Sequence, residues 1–269
     1  MKLSIITISF NAEECIEKTI ESVLNQSVPV FEYIMIDGAS SDHTYDIIKS
    51  YDEKFQNRGI HFIHISEPDK GISDAFNKGV KLAEGDIIGI INADDELLPD
   101  ANAILQEEWE KVKADVYYGN CWWVDTGRNI EYISRPRQDL SLLLHTMILI
   151  HPSTFVAKKA YDECGVFNVD YRYCMDKDLL YRLYKSGKSF KYIDAELTRF
   201  KAGGVSDKNL KAVLKEGEKN AIYYGAPFLK TKVMFAKKYV KNKIIILVKK
   251  TPLYLFLYRR LKNGRGINR

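Results

Sequence analysis

The sequence predicts an α/β fold: a mostly parallel, Rossmann-like sheet flanked by helices and followed by a basic helical tail. Short apolar runs recur through the first third of the chain, segments with helical spacing separate them, and residues 219–269 carry no acidic side chain. Strands that alternate with helices are joined by right-handed crossovers, so neighbouring strands are expected to be parallel.

The strands predicted for the first third are apolar on both faces. Their residues do not alternate between polar and apolar, so helices are expected to cover both sides of the sheet. Helical spacing lies between them, as in Ile16, Ile20 and Val23. The four strands are residues 3–8, 33–36, 60–65 and 87–91.

The pattern is less regular after residue 99. A helix is predicted to about residue 113, and two strands flank a turn at Gly127 and Arg128. Helices are also expected over 158–163, from about Asp176, and over 207–224, the last preceded by a loop at 201–206. The remaining strands are predicted over residues 116–118, 130–133, 151–156 and 190–193.

The composition is that of a globular protein. The chain has 269 residues, of which 46% are hydrophobic and 28% charged. No apolar run approaches the roughly 18 residues of a membrane span, and the first ten residues do not fit a signal peptide. Four scattered cysteines fit neither a disulfide scaffold nor a zinc site, so we expect a cytoplasmic protein.

Charge divides the chain into an acidic body and a basic tail. Residues 219–269 contain 14 Lys and Arg and no acidic residue, which leaves 26 basic against 36 acidic residues, a net charge of −10, for residues 1–218. Composition alone allows phospholipid headgroups or nucleic acid as the anionic partner. Apolar clusters between the lysines favour an interfacial helix pair on an anionic membrane, and the alternative is a helical cap with a solvated basic face.

Acidic residues follow the predicted strands. Ligands of open α/β sheets bind beyond the carboxyl ends of the strands, where this sequence places several aspartates. A phosphate ligand would approach them only with a divalent cation between, and Mg²⁺ or Mn²⁺ suits such oxygen ligands. Three alternatives stay open: Asp42 caps a helix, Asp37 and Gly38 form only a turn, and Lys70 is a solvated surface lysine. The aspartates are Asp37, Asp42, Asp69, Asp74, Asp94 and Asp95.

The order and spacing of these motifs resemble glycosyltransferase family 2. The resemblance covers about residues 1–206 and excludes the tail. It implies an inverting glycosyltransferase with the A-type nucleotide-sugar fold, a catalytic domain over 1–226 and a tail over 227–269. The domain is expected to divide into a nucleotide-sugar half at about 1–98 and an acceptor half at about 99–226. The motifs are residues 4–11, 36–42, 67–71, 77–79, 92–95, 151–153, 175–179 and 203–206.

The resemblance also implies the donor site. Asp94 corresponds to the metal-binding member of the family's Asp-x-Asp signature, and adjacent carboxylates make Asp95 a second candidate ligand. Asn92 stands where the family has the first aspartate, which removes one charge. The expected nucleotide-sugar-binding residues are Thr7, Ser9, Asn11, Glu14, Asp37, Ser40, Asp69, Lys70, Asp74, Asn77, Asn92, Ala93 and Asp94.

The resemblance places the catalytic base at Asp176. A metal that neutralises the departing diphosphate removes the need for a protonating acid, so one carboxylate suffices to accept the acceptor's proton. The alternative is that Asp176 only stabilises a helix N-terminus. Contacts with the acceptor or the diphosphate are expected from His151, Trp122, Met175 and Gly204, although His151 and one tryptophan also fit structural roles.

The sequence therefore predicts a metal-dependent hexosyltransferase. It would move a hexose from a nucleoside diphosphate sugar, with UDP favoured, to a saccharide acceptor linked to a polyprenyl diphosphate, in O-antigen or capsule synthesis at the inner face of the cell membrane. The alternatives are a sugar nucleotidyltransferase and a non-catalytic membrane or nucleic-acid binding module. The nucleotidyltransferase would need a glycine-rich loop after the first strand, where residues 11–14 contain no glycine.

Overall fold

A computed structural model describes residues 1–249 of the chain. Met1–Lys208 forms one compact unit, and the chain from Asn209 onward belongs to a second. The second unit thus begins before the tail that we predicted to start at residue 227, and that domain boundary stays a prediction. Residues 250–269 of the predicted tail lie outside the described residues.

Strands and helices alternate in the first third of the chain, which confirms the four predicted strands. The strands begin within one residue of their predicted starts and end close to the polar residues that follow the apolar runs. In order, the elements are β1 (Leu3–Ser9), α1 (Ile16–Leu24), β2 (Glu32–Asp37), α2 (Thr44–Lys49), α3 (Asp52–Asn57), β3 (His61–Ser66), α4 (Ile72–Leu82) and β4 (Ile87–Ile90).

The rest of the first unit contains longer strands than the sequence predicted. Two strands extend furthest beyond their predicted ends, at residues 116–125 and 190–201. The elements are β5 (Glu96–Leu97), α5 (Ala101–Lys111), β6 (Val116–Asp125), β7 (Ile130–Ser134), β8 (Thr154–Ala157), α6 (Lys158–Cys164), α7 (Met175–Lys185), β9 (Phe190–Lys201) and α8 (Val205–Lys208).

The strand predicted over residues 151–156 is wrong in its first half. His151–Ser153 forms a 3₁₀ turn, and β8 begins only at Thr154. Pro152 lacks the N–H that a strand ladder needs, and its fixed φ suits the first turn of a helix. This turn carries His151, which belongs to the site described below.

The strands form one nine-stranded sheet within the described residues. Their order is β3-β2-β1-β4-β8-β6-β9-β5, with β7 paired to β6. The pairs among β1 to β4 are parallel, and so is β6 with β9, whereas β8 runs antiparallel to both β4 and β6. The fold is therefore the predicted α/β sheet, with antiparallel pairs at β8, between β6 and β7, and between β5 and β9.

The register of the parallel strands aligns their carboxyl ends. Ser9 of β1 is paired with Asp37 of β2, and Asp37 is paired with Ser66 of β3. Three polar side chains therefore lie side by side at one edge of the sheet, where the loops after these strands begin.

Two helices of the second unit are described. They are α9 (Leu210–Tyr223) and α10 (Phe228–Lys249), and they pack against each other. Among residues 1–249, none of the helices combines the length and the apolar character required to cross a membrane.

A missing side chain lets β4 and β8 pack closely. Gly89 is paired with Phe155, and a Cβ atom on Gly89 would lie 2.6 Å from two atoms of the Phe155 ring and 3.0 Å from Ile5. We predict that Gly89→Ala lowers the free energy of unfolding by about 1–3 kcal/mol, because the buried ring has to move. Chemical denaturation measures the change.

A double mutant checks the cause. In a Phe155→Leu background, Gly89→Ala should cost clearly less than it does alone, because the clashing ring atoms are gone. Equal costs in the two backgrounds would contradict this account of the contact between β4 and β8.

Candidate functional site

Asp37 is the centre of a buried hydrogen-bond cluster at the carboxyl ends of the first three strands. The Ser9 hydroxyl donates to its Oδ1 at 3.0 Å, and the Ser66 hydroxyl donates to its Oδ2 at 2.6 Å. Ser40 adds two bonds, from its hydroxyl at 2.5 Å and from its backbone N–H at 2.9 Å. The strand register thus places a charged group where hydroxyls from both neighbouring strands and the following loop satisfy it.

The loops after β1 and β2 are joined by further hydrogen bonds. The backbone N–H of Asn11 donates to the Ser40 hydroxyl at 2.9 Å, and the Asn11 side chain accepts from the Ser41 N–H at 2.9 Å. Asn11 and Ala39 both have positive φ, at 48° and 59°. An alanine in this region is strained, so the two loops are held in a conformation that the surrounding contacts enforce.

Asp42 has the capping role that the sequence left open. Its Oδ1 accepts from the N–H of Thr44, where α2 begins, at 3.0 Å, and from the Thr44 hydroxyl at 2.5 Å. Its Oδ2 accepts from the N–H of Glu13 at 3.2 Å, which ties the helix start to the first loop.

The loop after β3 is braced by its own acidic residues. Asp69 accepts from the Gly71 N–H at 2.7 Å, and Asp74 accepts from the Lys70 N–H at 3.0 Å. A Cβ atom on Gly38 would lie 2.7 Å from Oδ2 of Asp69, so the loops after β2 and β3 are close neighbours. The Lys70 side chain is exposed, which fits either of its two predicted roles.

Asp94 and Asp95 differ sharply in their surroundings. Asp95 is buried, and its carboxylate accepts from the Asn92 side chain at 2.9 Å and from the Lys201 N–H at 2.9 Å. Burial, together with the charge of Asp94, raises the pKa of Asp95 to about 7. Asp94 is partly exposed, and within residues 1–249 its side chain has no hydrogen-bond donor.

Two residues near Asp94 were missed by the sequence analysis. Burial raises the pKa of the Cys15 thiol, the charge of Asp94 raises it further, and the charge of Lys201 opposes the shift. The charges of Asp94 and Lys201 therefore act on Cys15, although the three residues come from the loop before α1, the loop after β4 and the end of β9. The sequence predicted that the last strand ends at residue 193, so it did not predict that Lys201 lies beside the loop of Asp94 and Asp95.

The fit of a divalent cation depends on Asp94. No cluster of three or more His, Cys, Asp or Glu side chains that could hold a metal ion is present in the described part of the chain. A single unpaired carboxylate suits Mg²⁺ or Mn²⁺ that is held largely by substrate phosphates and water. Asp95 as a second ligand stays a prediction that this geometry disfavours, because both of its oxygens already accept hydrogen bonds.

Asp176 and His151 line one small cavity. Asp176 is at the start of α7 and accepts from the N–H of Lys177 at 2.7 Å. The His151 ring packs between Phe76 and Phe167, at centroid distances of 5.4 and 6.3 Å, and its buried Nε2 has no hydrogen-bond partner among residues 1–249. Burial lowers the pKa of His151, and the charge of Asp176 opposes the shift.

Three of the predicted contact residues have structural roles in this fold. Thr7 is buried, and its hydroxyl accepts from the hydroxyl of Tyr33 at 3.0 Å. Asn77 uses its amide twice on the backbone of Phe167, donating to the carbonyl and accepting from the N–H, both at 2.9 Å. Met175 is buried in the core. Their side-chain groups are enclosed or paired in this structure, and their contacts with donor or acceptor stay predictions.

The remaining predicted residues lie at or near the surface. Glu14 is exposed, while Ala93, Trp122 and Gly204 are partly exposed. The neighbouring tryptophan, Trp123, is also partly exposed and packs on the rings of Phe200 at 4.6 Å and Tyr132 at 6.3 Å. The space around a Cβ atom at Gly204 is open.

The sequence profile described as Glycosyl transferase family 2 matches residues 4–165, more than half of the chain. That span contains the Asp37 cluster, Asp94 and His151. The chain belongs to glycosyltransferase family 2. It is therefore a glycosyltransferase, as the sequence predicted, rather than the sugar nucleotidyltransferase or the non-catalytic module kept as alternatives.

Relatives of known name point in the same direction. The chain is 40% identical over 94 residues to the putative teichuronic acid biosynthesis glycosyltransferase TuaG of Bacillus subtilis, a match that covers 35% of this chain and 36% of that protein. It is 27% identical over 186 residues to a PGL/p-HBAD biosynthesis glycosyltransferase of Mycobacterium bovis, covering 68% of this chain and 70% of the relative.

Solved structures share the fold. Staphylococcus aureus TarS residues 1–349, in complex with UDP-GlcNAc, superposes with a TM-score of 0.65 at 16% identity over 88% of this chain and 71% of that one. The mannosyltransferase PcManGT of Pyrobaculum calidifontis, in complex with GDP-Man and Mn²⁺, gives a TM-score of 0.66 at 15% identity over 100% and 81%. The A-type glycosyltransferase fold is thereby confirmed.

The buried His151 predicts a pH dependence of stability. Its pKa is lowered in the folded state, so the unfolded chain binds this proton more readily, and stability falls as pH decreases below about 6.5. When the pH is lowered from about 7 to about 5, we predict that the free energy of unfolding falls less in His151→Gln than in the wild type. Denaturant unfolding at a series of pH values measures it.

The exposed His43 supplies the control. His43→Gln should leave the acid sensitivity of the wild type unchanged. An acid sensitivity of His151→Gln equal to that of the wild type would contradict a buried, neutral imidazole.

Proposed function

We propose that this enzyme transfers a hexose from a nucleoside diphosphate sugar to a saccharide acceptor, with inversion at the sugar carbon and with a divalent cation at Asp94. The observation that carries the proposal is the Asp94 carboxylate, which is unpaired within residues 1–249 and stands beside a rim of satisfied acidic groups. An acidic rim repels a diphosphate unless a cation lies between them.

The Asp37 cluster is proposed to hold the nucleoside. The loops after β1 and β2 are fixed by hydrogen bonds among Asn11, Ser40 and Ser41, so they form a rigid edge that loses little conformational entropy when a ligand binds. Both oxygens of Asp37 accept from serines, hence a base or ribose would replace some of these hydrogen bonds. Ser9 and Ser66 would keep the carboxylate in place during that exchange.

Asp94 is proposed to bind the cation, with Asn92 and Lys201 beside it. When bound, the cation neutralises the charge that develops on the departing diphosphate. Asn92 holds Asp95 rather than offering a second charge, and Asp95 in turn fixes the end of β9 through the Lys201 N–H. Asp94 is left as the carboxylate of this loop with room for a ligand.

Asp176 is proposed as the general base. Its carboxylate keeps one oxygen outside the bond to Lys177 and lines the cavity next to His151. It would accept the proton of the acceptor hydroxyl while the hydroxyl oxygen attacks the sugar carbon. The bond between that carbon and the diphosphate oxygen breaks in the same step. Nε2 of His151 is buried and has no partner in the described part of the chain, so it would position the acceptor hydroxyl or a phosphate oxygen.

The names of the relatives support a saccharide of the cell surface as product. TuaG is named for teichuronic acid biosynthesis, and a chondroitin synthase of Escherichia coli is 32% identical over 203 residues, 71% of this chain and 28% of that protein. UDP-GlcNAc in TarS supports UDP as the nucleotide, and Mn²⁺ in PcManGT supports the cation. We propose a UDP-hexose donor and an acceptor carried on a polyprenyl diphosphate.

Replacing the base should separate catalysis from donor binding. We predict that Asp176→Asn lowers kcat by at least about 100-fold, because the amide cannot accept the proton, while the affinity for UDP stays within about twofold. Acceptor-dependent release of UDP gives the rate, and calorimetry gives the affinity.

Asp170→Asn is the matched control for this substitution, since Asp170 is exposed and lies six residues before Asp176. It should retain wild-type turnover. Wild-type turnover by Asp176→Asn would contradict the assignment of the base.

Two neighbouring substitutions should identify the metal ligand. We predict that Asp94→Asn raises the Mn²⁺ concentration needed for half-maximal transfer by at least about tenfold, because it removes the charge that attracts the cation. Asp95→Asn preserves an oxygen that can accept from Lys201, so it should change this requirement much less. Titration of Mn²⁺ into the transfer assay measures both, and the reverse order would contradict the choice of Asp94.

A further inference from the structure

Helix α10 buries one face against its neighbour in the second unit. Thr231 and Phe235 are buried, and Lys232 pairs with Glu218 of α9 at 3.3 Å. At 100° per residue, Thr231 and Phe235 lie within about 40° of each other on the helix surface. This face is therefore the one that packs on α9.

A second apolar surface lies on the other side of the same helix. We define the outer stripe as Leu229, Val233, Val240, Ile244 and Leu247, which fall within an arc of about 60° centred about 160° from the buried face. Their exposed fractions run from 54% for Val233 to 77% for Leu229. Five exposed aliphatic side chains aligned on one side of the helix form an apolar strip rather than scattered surface residues.

Lysines border the outer stripe on both edges. Lys232 and Lys243 follow one edge, and Lys230, Lys237 and Lys241 follow the other, by the same helical geometry. The helix contains no acidic residue from Phe228 to Lys249. The surface thus combines a narrow apolar strip with positive charge along its whole length.

We propose that the outer stripe of α10 inserts into an anionic lipid surface, with the flanking lysines at the level of the headgroups. A helix with an apolar strip and basic borders lies in the plane of a membrane interface, and each lysine adds attraction to anionic lipids. Long lysine side chains let the aliphatic residues enter the acyl region while the ammonium groups stay in water.

Other occupants fit the charges less well. A second copy of the helix would bring lysines on both edges against lysines of its own kind, and the helix supplies no acidic residue to pair with them. A nucleic acid would use the lysines but would leave five exposed aliphatic side chains uncovered. This inference concerns the second unit and does not depend on the proposed transfer reaction.

Four consecutive residues provide a matched test. Ile244 and Leu247 belong to the outer stripe, whereas Ile245 and Ile246, exposed by 37% and 36%, point away from it. The full-length chain is mixed with vesicles of phosphatidylcholine with or without phosphatidylglycerol, in the absence of donor and acceptor, and bound protein is measured by sedimentation. Circular dichroism checks that each variant keeps its helix content.

We expect binding to the vesicles that contain phosphatidylglycerol, weakened at least about tenfold in Ile244→Gln/Leu247→Gln and within about twofold of the wild type in Ile245→Gln/Ile246→Gln. Lys237→Gln/Lys241→Gln should reduce the preference for anionic lipid by a similar factor. The proposal is overturned if the wild type does not bind these vesicles. It is equally overturned if Ile244→Gln/Leu247→Gln and Ile245→Gln/Ile246→Gln bind them with the same affinity. It is also overturned if light scattering shows that the protein forms a dimer without lipid and that Ile244→Gln/Leu247→Gln converts this dimer to monomers.

Discussion

The parallel register of β1, β2 and β3 is the constraint on which the donor site depends. It puts Ser9, Asp37 and Ser66 in one row, so a carboxylate that would be costly to bury is satisfied by hydroxyls from both neighbouring strands. A shift of one residue in either pairing would turn the side chains to the other face of the sheet. The apolar cores of the strands, which fix the register, therefore also fix the geometry of the polar edge.

The electrostatics of that edge follow from which carboxylates find donors inside the protein. Asp37, Asp42 and Asp95 each accept hydrogen bonds from neighbouring residues, and these bonds hold the loops together. Asp94 has no such donor within residues 1–249, although Asp95 is beside it and Cys15 is near. At this edge of the sheet, Asp37, Asp42 and Asp95 thus stabilise the loops, and the Asp94 carboxylate stays open to a ligand of opposite charge.

The sequence predicted the parallel half of the sheet well, because each strand there is a continuous apolar run with a polar end. It was less informative about the second half, where β6 and β9 pair over more residues than their apolar segments reveal. Pro152 explains the turn that replaced a predicted strand start. The sequence did not predict Ser66 or Lys201 as site residues. Ser66 reaches Asp37 through the pairing of β2 with β3, and Lys201 reaches Asp95 because β9 is longer than predicted. Asn77 fits the family motif, yet its amide binds the backbone of Phe167, a contact across 90 residues that no local pattern encodes.

The central claim is that a divalent cation at Asp94 lets an acidic site accept a nucleoside diphosphate. The most direct test is an anomalous difference map from crystals grown with Mn²⁺ and UDP, recorded where manganese scatters anomalously. The account predicts a peak within about 2.5 Å of an Asp94 carboxylate oxygen, bridging to the diphosphate, with Asp95 still bound to Asn92 and Lys201. Ordered UDP at the carboxyl ends of the strands with no such peak at Asp94 would contradict it.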